Sequence, residues 1–452
     1  MNHFYIETYG CRMNICDSEV IVAILSKAGM KYVNSMSDAD VIILNSCSVR
    51  EDGHNKIYER LTEIGKNANL ASKVIVVTGC FASLLTDKLF KQYDFVNIVV
   101  NPNCYRQLPD LLQQIRVGKD HLLKSLMDSD EMYGDILPQR VIEDRTTAAI
   151  NVMKGCNQCC SYCIEPVTRG HEHCRDVESV LKECDDIVSL GYREITLVGH
   201  IIDKYHSIDS KSGKNIDFAE LLKIVAERCP EQRIKFLSSH PLFFDERIAQ
   251  IILSHPNIMR VVHLPVQSGA NKVLRRMDRG YTKEQFVVLI GRLRRVIPDL
   301  TIITDVMVGF CGESHEEFEE TVDLVKSLQF DDINVFCFSM RSRTKAFKLY
   351  ADDVDEEEKI KRAQKVKDLR DSIKYQKNKR LLGQRIGVIV ESKDNLGRYY
   401  GRDMFHHSVY FTSDIPLAIN DKVIVLVKEV SCQGLIGNVY SITAVPFRNR
   451  RV

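Results

Sequence analysis

The chain is short of three things, and each absence narrows what it can be. It has almost no net charge: 62 Lys and Arg against 61 Asp and Glu leave +1 over 452 residues. No basic field announces nucleic acid, so any RNA contact must be a local patch. It has no apolar run of about 18 residues, which excludes a membrane-spanning helix and predicts no membrane partner. Its start, Met1-Asn2-His3-Phe4, enters a strand-like run without a secretory leader. What it does have is cysteine, 15 residues of it. Without a secretory signal, that number predicts a reducing compartment, the cytoplasm, where thiols serve metals or packing. Charged residues (27%) and hydrophobic ones (44%) are in ordinary globular proportion. The length allows two to four domains, each with a real core.

One stretch organises the rest: Lys154-Gly155-Cys156-Asn157-Gln158-Cys159-Cys160-Ser161-Tyr162-Cys163. Cys156, Cys160 and Cys163 stand in C-x3-C-x2-C spacing. Three thiolates in one short loop can hold three irons of a cubane iron–sulfur cluster and leave the fourth open to a small molecule. Cys159 also allows a reading as two C-x2-C pairs, which suggests zinc. Zinc ribbons keep a spacer between such pairs so that the chain can fold back, and here the spacer is zero residues. Cys159 is then a bystander.

Residues 1–115 alternate between apolar strands (Phe4 to Thr8, Val41 to Asn45, Val74 to Thr78, Phe95 to Val100) and helices (Ser18 to Ala28, Glu51 to Ile64, about Ser83 to Lys91). Continuous Val/Ile strands separated by helices predict a parallel sheet covered on both faces. Cys11, Cys47 and Cys80 each lie just beyond the carboxyl end of one of the first three strands. In an open α/β sheet those ends line one crevice, so three distant thiols converge there. One such cysteine reads as core packing; three read as a second cluster site. Cys16 and Cys104 lack this placement and read as structural.

Residues 116–145 are polar and irregular and read as a linker. From 146 the alternation resumes, with strands at Ala149–Met153, Glu194–Val198, Arg233–Leu237, Arg260–Leu264, Thr301–Val306 and Asp332–Phe338. Helices between them include Val177–Leu190, Phe218–Arg228, Lys283–Val296 and His315–Leu328. Six βα units predict a partial or closed α/β barrel with its site at the strands' carboxyl ends. Pro166–Gly170, Gly199, Ser238–Pro241, His263–Gly269 and Asp305–Phe310 punctuate that face. His240 and His263 are assigned to no metal. A charged helix follows over about 354–380, and five short strands between 383 and 445 predict a small β-barrel. Arg398, Tyr399, Tyr400, Arg402, His406, His407, Phe411, Arg448, Arg450 and Arg451 mix cations with aromatics there, which suits phosphate contact and base stacking.

The motifs Thr8-Tyr9-Gly10-Cys11-Arg12-Met13-Asn14, Asn45-Ser46-Cys47-Ser48-Val49-Arg50-Glu51 and Met153-Lys154-Gly155-Cys156-Asn157 resemble the radical S-adenosylmethionine (SAM) methylthiotransferase family, and within it the MiaB-type branch. The resemblance covers nearly the whole chain. It implies an α/β chain of an N-terminal cluster domain (1–115), a linker (116–145), a radical SAM (βα)6-type partial barrel (146–380) and a small C-terminal TRAM β-barrel (381–446). It implies two 4Fe-4S clusters, held by Cys156, Cys160 and Cys163 and by Cys11, Cys47 and Cys80. It implies SAM on the open iron, with cofactor contacts from Tyr162, Gly199, Gln267, Val308 and Gly309, and no protein acid or base as catalyst. The implied reaction adds a methylthio group to C2 of N6-isopentenyl-adenosine at position 37 of tRNA. One cluster cleaves SAM to a 5′-deoxyadenosyl radical, the other gives up sulfur, and a second SAM methylates that sulfur. The implied partners are the tRNA anticodon loop and an electron-donor protein, and the chain is expected to act as a monomer. Other branches act on threonylcarbamoyl-adenosine of tRNA or on a ribosomal protein. An iron–sulfur RNA-binding protein without catalysis is the reading from another class. The chain departs from the family pattern at His171, His173, His200, Cys311 and 339–344.

Overall fold

In the computed structural model, residues 1–48, 51–84, 88–124, 129, 131–141 and 146–442 are described, by backbone alone at 51–54 and 88. Apolar runs in the first part build a six-stranded sheet, ordered Lys31–Tyr32, His3–Tyr9, Val41–Ser46, Val74–Thr78, Val96–Val100, Leu122–Lys124. Every pairing is parallel. Alternate side chains feed two cores. Ile43 and Val76 pack with Ile21 and Leu25 of the helix Arg12–Lys27 on one face. Ile42, Ile75 and Val77 pack with Ile57 and Leu61 on the other. Burial on both faces is why these strands read as unbroken apolar runs.

Three expectations need adjustment. The first helix begins at Arg12, not Ser18, because Cys11 is its N-cap: the Cys11 carbonyl accepts from Asn14 N (3.0 Å), and Cys11 N–H donates to Asn14 Oδ1 (3.3 Å). Cysteine is outside the usual capping set, so the start carried no sequence mark. The helix expected near Ser83 to Lys91 is a 3-10 turn, Cys80–Leu84, and a short helix, Lys88–Gln92, with 85–87 outside the described residues. The stretch read as linker contributes Leu122–Lys124 as an edge strand, too short at three residues to show a period of two.

The central strands form two parallel ladders, Thr147–Asn151 with Glu194–Val198 and Arg233–Phe236, then Val261–His263 with Thr301–Val308 and Asp332–Cys337. An Ile234–Ile258 bridge joins them. Among the described residues no ladder links the outer strands, so this is an open half-barrel. Helices Phe218–Arg228, Lys283–Val296 and His315–Leu328 pack outside it with the expected bounds. The N-terminal domain covers part of the opening. Met13 and Cys16 of the first helix pack on Ala149, Val198 and Leu237 inside the half-barrel. Buried Arg140 clamps the junction, paired with Glu19 of the first helix and Glu183 of the helix Val177–Ser189.

The tail closes into a five-stranded barrel: Arg385–Lys393, Tyr399–Arg402, Ser408–Thr412, Leu435–Ile442, Lys422–Val430. It docks beneath the half-barrel, at the amino ends of its strands. Arg260 N–H donates to Met404 O (2.9 Å) and Thr301 Oγ1 to Phe405 O (2.8 Å). Arg233 pairs with Glu194 (2.8 Å) and Glu391 (2.9 Å), and Arg402 pairs with Glu391 (2.9 Å). This corrects part of the RNA-facing set. Arg402 lies in this buried network, His406 faces Lys235 (Nε2–Nζ 3.1 Å), and Tyr399 and Phe411 stack in the small core. A strand's own alternation cannot tell which polar face another domain will cover. Arg448, Arg450, Arg451 and positions 443–446 of the expected domain lie outside the described residues, as do Val49 and Arg50.

Candidate active site

The cluster loop is held from three sides. Cys156 N–H donates to Gly170 O (3.1 Å), Ser161 N–H to Met277 O (2.9 Å), and Ala346 N–H to Ser161 O (2.7 Å). Gly155 makes the first contact possible. Its φ is +72°, and a Cβ there would lie 1.7 Å from His171 O. Cys163 N–H donates to Cys160 O (3.0 Å), which turns the chain so that Cys156, Cys160 and Cys163 face one another. Burial pushes the Cys156 thiol up to about 12 and Cys163 well above its ordinary value; Cys160 acts on both, and Cys156 acts on Cys163. An isolated thiolate is unfavourable here, so the proton leaves readily only to a metal centre.

Cys11, Cys47 and Cys80 also come together. Cys47 hydrogen-bonds to Cys11, which draws Cys11 down to about 6 and pushes Cys47 up; Cys80 is raised chiefly by burial, feels the charge of Cys11 and acts on Cys47. Here too a glycine permits the approach. At Gly79 (φ +88°) a Cβ would stand 2.3 Å from Asn45 Oδ1 and 2.4 Å from Ser46 O. Asn45 is locked in turn, with Nδ2 donating to Asn14 O and Ser18 Oγ (both 2.8 Å).

One carboxylate is felt by both triplets. Glu165 acts electrostatically on Cys11, Cys47 and Cys80, and also on Cys156 and Cys163. Burial opposes its ionisation, but His200, with Nε2 3.0 Å from Oε2, and Arg169 outweigh burial and hold the carboxyl below its ordinary range. Arg279 guards the other side of the loop. Its Nη1 lies 3.4 Å from Cys160 Sγ and 3.3 Å from the Tyr162 hydroxyl, and its Nη2 donates to Pro265 O (3.0 Å).

Tyr162 packs against Val273, Met277 and Phe310. Gln267 has φ +71°, is bridged to the strand Thr301–Val308, and keeps a buried Oε1 without a partner among the described residues. Such an orphan acceptor suits a ligand's donor. The other expected contacts are more engaged. Val308 O accepts from Phe338 N (2.9 Å), Gly309 N donates to Glu313 Oε2 (2.6 Å), and the space a Gly199 Cβ would need is filled by Met153 Cγ at 2.5 Å. His240 is buried beside Tyr281 and driven down to about 3, first by burial and then by Arg279 and Lys204, so it is neutral.

Among the described residues, no three His, Cys, Asp or Glu side chains close around a single-ion position. The two triplets are all-thiol and backed by left-handed glycines, and such soft donor sets fit sulfur-bridged iron cores.

Residues 3–101 match the uncharacterized protein family UPF0004, and residues 150–325 match the radical SAM superfamily. The tRNA-2-methylthio-N(6)-dimethylallyladenosine synthase of Azobacteroides pseudotrichonymphae is 35% identical over 97% of each chain. Its counterpart in Phocaeicola vulgatus is 36% identical over 96% of this chain and 95% of that one. The chain belongs to the tRNA-2-methylthio-N(6)-dimethylallyladenosine synthase family. Its fold is shared more widely. The radical SAM methyltransferase TsrM of Kitasatospora setae aligns over 74% of this chain and 73% of its own, with a TM-score of 0.57 at 14% identity. The cobalamin-dependent radical enzyme OxsB gives 0.52 over 81% and 56%, also at 14% identity. The residues that sequence reasoning missed are Glu165 and Arg279. His200 and the stretch Pro166–Gly170, Arg169 included, were visible signals, but the partners of Arg169 lie far away in sequence.

Proposed function

We propose that this chain, a radical SAM methylthiotransferase, replaces the C2 hydrogen of N6-isopentenyl-adenosine at position 37 of tRNA with a methylthio group, consuming SAM in two steps. The observation that carries this reading is the convergence of two all-cysteine triplets on Glu165. Cys156, Cys160 and Cys163 would hold one 4Fe-4S cluster and Cys11, Cys47 and Cys80 a second; when bound, the first would supply the electron for SAM cleavage and the second the sulfur.

The protein's own part is binding, orientation and exclusion of water. Gly155 and Gly79 let the two loops close. Arg279 holds Tyr162 and places a positive charge near Cys160. Tyr162, Gly199, Gln267, Val308 and Gly309 would hold SAM, Gln267 through its buried free Oε1. The first helix seals the half-barrel through Met13 and Cys16. The target base leaves its stack to reach the lumen, as base-modifying enzymes require. The outward face of the small barrel, with Tyr410 and Tyr440 exposed, adds stacking surface for the anticodon arm. Residues 1–115 with the edge strand Leu122–Lys124 are the cluster domain, 146–380 the radical SAM domain and 381–446 the TRAM domain, with 116–145 the connection between the first two. The chain acts as a cytoplasmic monomer supplied by an electron-donor protein.

The test is nucleoside mass spectrometry. Anaerobically reconstituted protein, dithionite, SAM and tRNA carrying isopentenyl-adenosine should yield the 2-methylthio derivative. Conversion of threonylcarbamoyl-adenosine instead would overturn the substrate assignment.

A further inference from the structure

We propose that Arg169 is a positioning residue that tunes the second cluster site from across the domain boundary. The inference rests on the reading that Cys11, Cys47 and Cys80 hold a cluster. Arg169 ends the short helix Glu165–Arg169, which directly follows the loop of Cys156, Cys160 and Cys163. It is 1% exposed. Two of its nitrogens are used by Asp17 of the first helix: Nη1 donates to Oδ1 (3.0 Å) and Nη2 to Oδ2 (2.6 Å). Tyr105, also buried, donates to the same carboxylate (3.2 Å).

A clamp between domains needs no more than this bidentate pair. The remaining donor does something else: Nε–H points at Cys80 Sγ, 2.9 Å away. Arg169 thus sits beside one triplet in sequence and against the other in space. Ser83 Oγ, donating to Thr168 O (2.9 Å), fixes the same approach one residue earlier. A charged donor on a ligating sulfur stabilises the more negative, reduced state of an iron–sulfur centre, because hydrogen bonds to sulfur and net charge set its potential. Burial keeps that effect unscreened.

The experiment uses the full chain with Cys156, Cys160 and Cys163 replaced by alanine, so that only the second site loads. Iron is counted, and the reduced fraction is followed by electron paramagnetic resonance at fixed applied potentials. The parent should hold about four irons. The neutral pair Asp17→Asn/Arg169→Gln avoids stranding a buried charge. It should hold the same iron but lower the reduced-to-oxidised ratio about tenfold, a fall of about 59 mV for one electron. Arg169→Lys, which keeps the charge but loses the fork, should shift the ratio in the same direction by less. Iron retained with an unchanged ratio in both variants overturns the tuning role. No iron in the parent, with Arg169 intact, overturns the cluster assignment itself, which is a separate failure.

Discussion

Replacing Gly155 by alanine should empty one metal site and spare the other. The left-handed backbone at this position costs an alanine about 1–2 kcal/mol. The added Cβ would also lie 1.7 Å from His171 O, well inside the 3.0 Å that real Cβ atoms respect. That oxygen is backbone, so no side-chain rotation relieves the contact, and the 170–171 segment must move. Moving it breaks the Cys156 N–H bond to Gly170 O. A penalty of about 1.4 kcal/mol already corresponds to tenfold, so the closed loop becomes a minority state. Iron and sulfide analysis after anaerobic reconstitution reads this directly. The unaltered chain should carry about eight irons and Gly155→Ala about four, with 5′-deoxyadenosine output falling in step. About eight irons and undiminished output in the variant would refute the argument that the Gly155 turn builds the site.

Other perturbations have equally definite outcomes. Arg140→Ala leaves Glu19 and Glu183 buried without their shared partner and should cost about 3–5 kcal/mol in urea unfolding at neutral pH; a loss below about 1 kcal/mol contradicts it. Lys235 is driven down to about 7, chiefly by burial, so above that pH the unfolded chain binds the proton that the folded chain does not. Stability contributed here should therefore rise between pH 7 and about 10, by up to about 1.4 kcal/mol per unit, and Lys235→Met should abolish that slope; parallel curves for the two proteins contradict it. Tyr440 lies exposed under Arg385, 3.7 Å from ring centroid to guanidinium carbon, and Tyr440→Ala should weaken tRNA binding by about 1–3 kcal/mol if a base stacks there. Unchanged affinity removes that face from the interface.

Much of the architecture was legible because local signals agreed with it. The helices Phe218–Arg228, Lys283–Val296 and His315–Leu328 kept their expected bounds because Asp217, Thr282 and Ser314 cap them, each accepting from the backbone N–H three residues on. The three thiols at strand ends were placed by topology alone, since parallel strands carry their carboxyl ends to one edge. Long-range pairings were not legible. Nothing near Arg169 says that its partners are Asp17 and Cys80, and nothing near Arg402 says that it will be buried under the half-barrel. Polar residues on a strand look the same whether they meet RNA, solvent or another domain. The departure at His200 makes sense only with Glu165, its hydrogen-bonding partner at 3.0 Å.

The most direct test of two cooperating thiol triplets measures both products of one variant. Cys47→Ala, reconstituted and supplied with dithionite, SAM and isopentenyl-adenosine tRNA, should still release 5′-deoxyadenosine while forming no methylthio nucleoside. Full methylthiolation with normal 5′-deoxyadenosine would contradict the assignment of sulfur to the Cys11, Cys47 and Cys80 site.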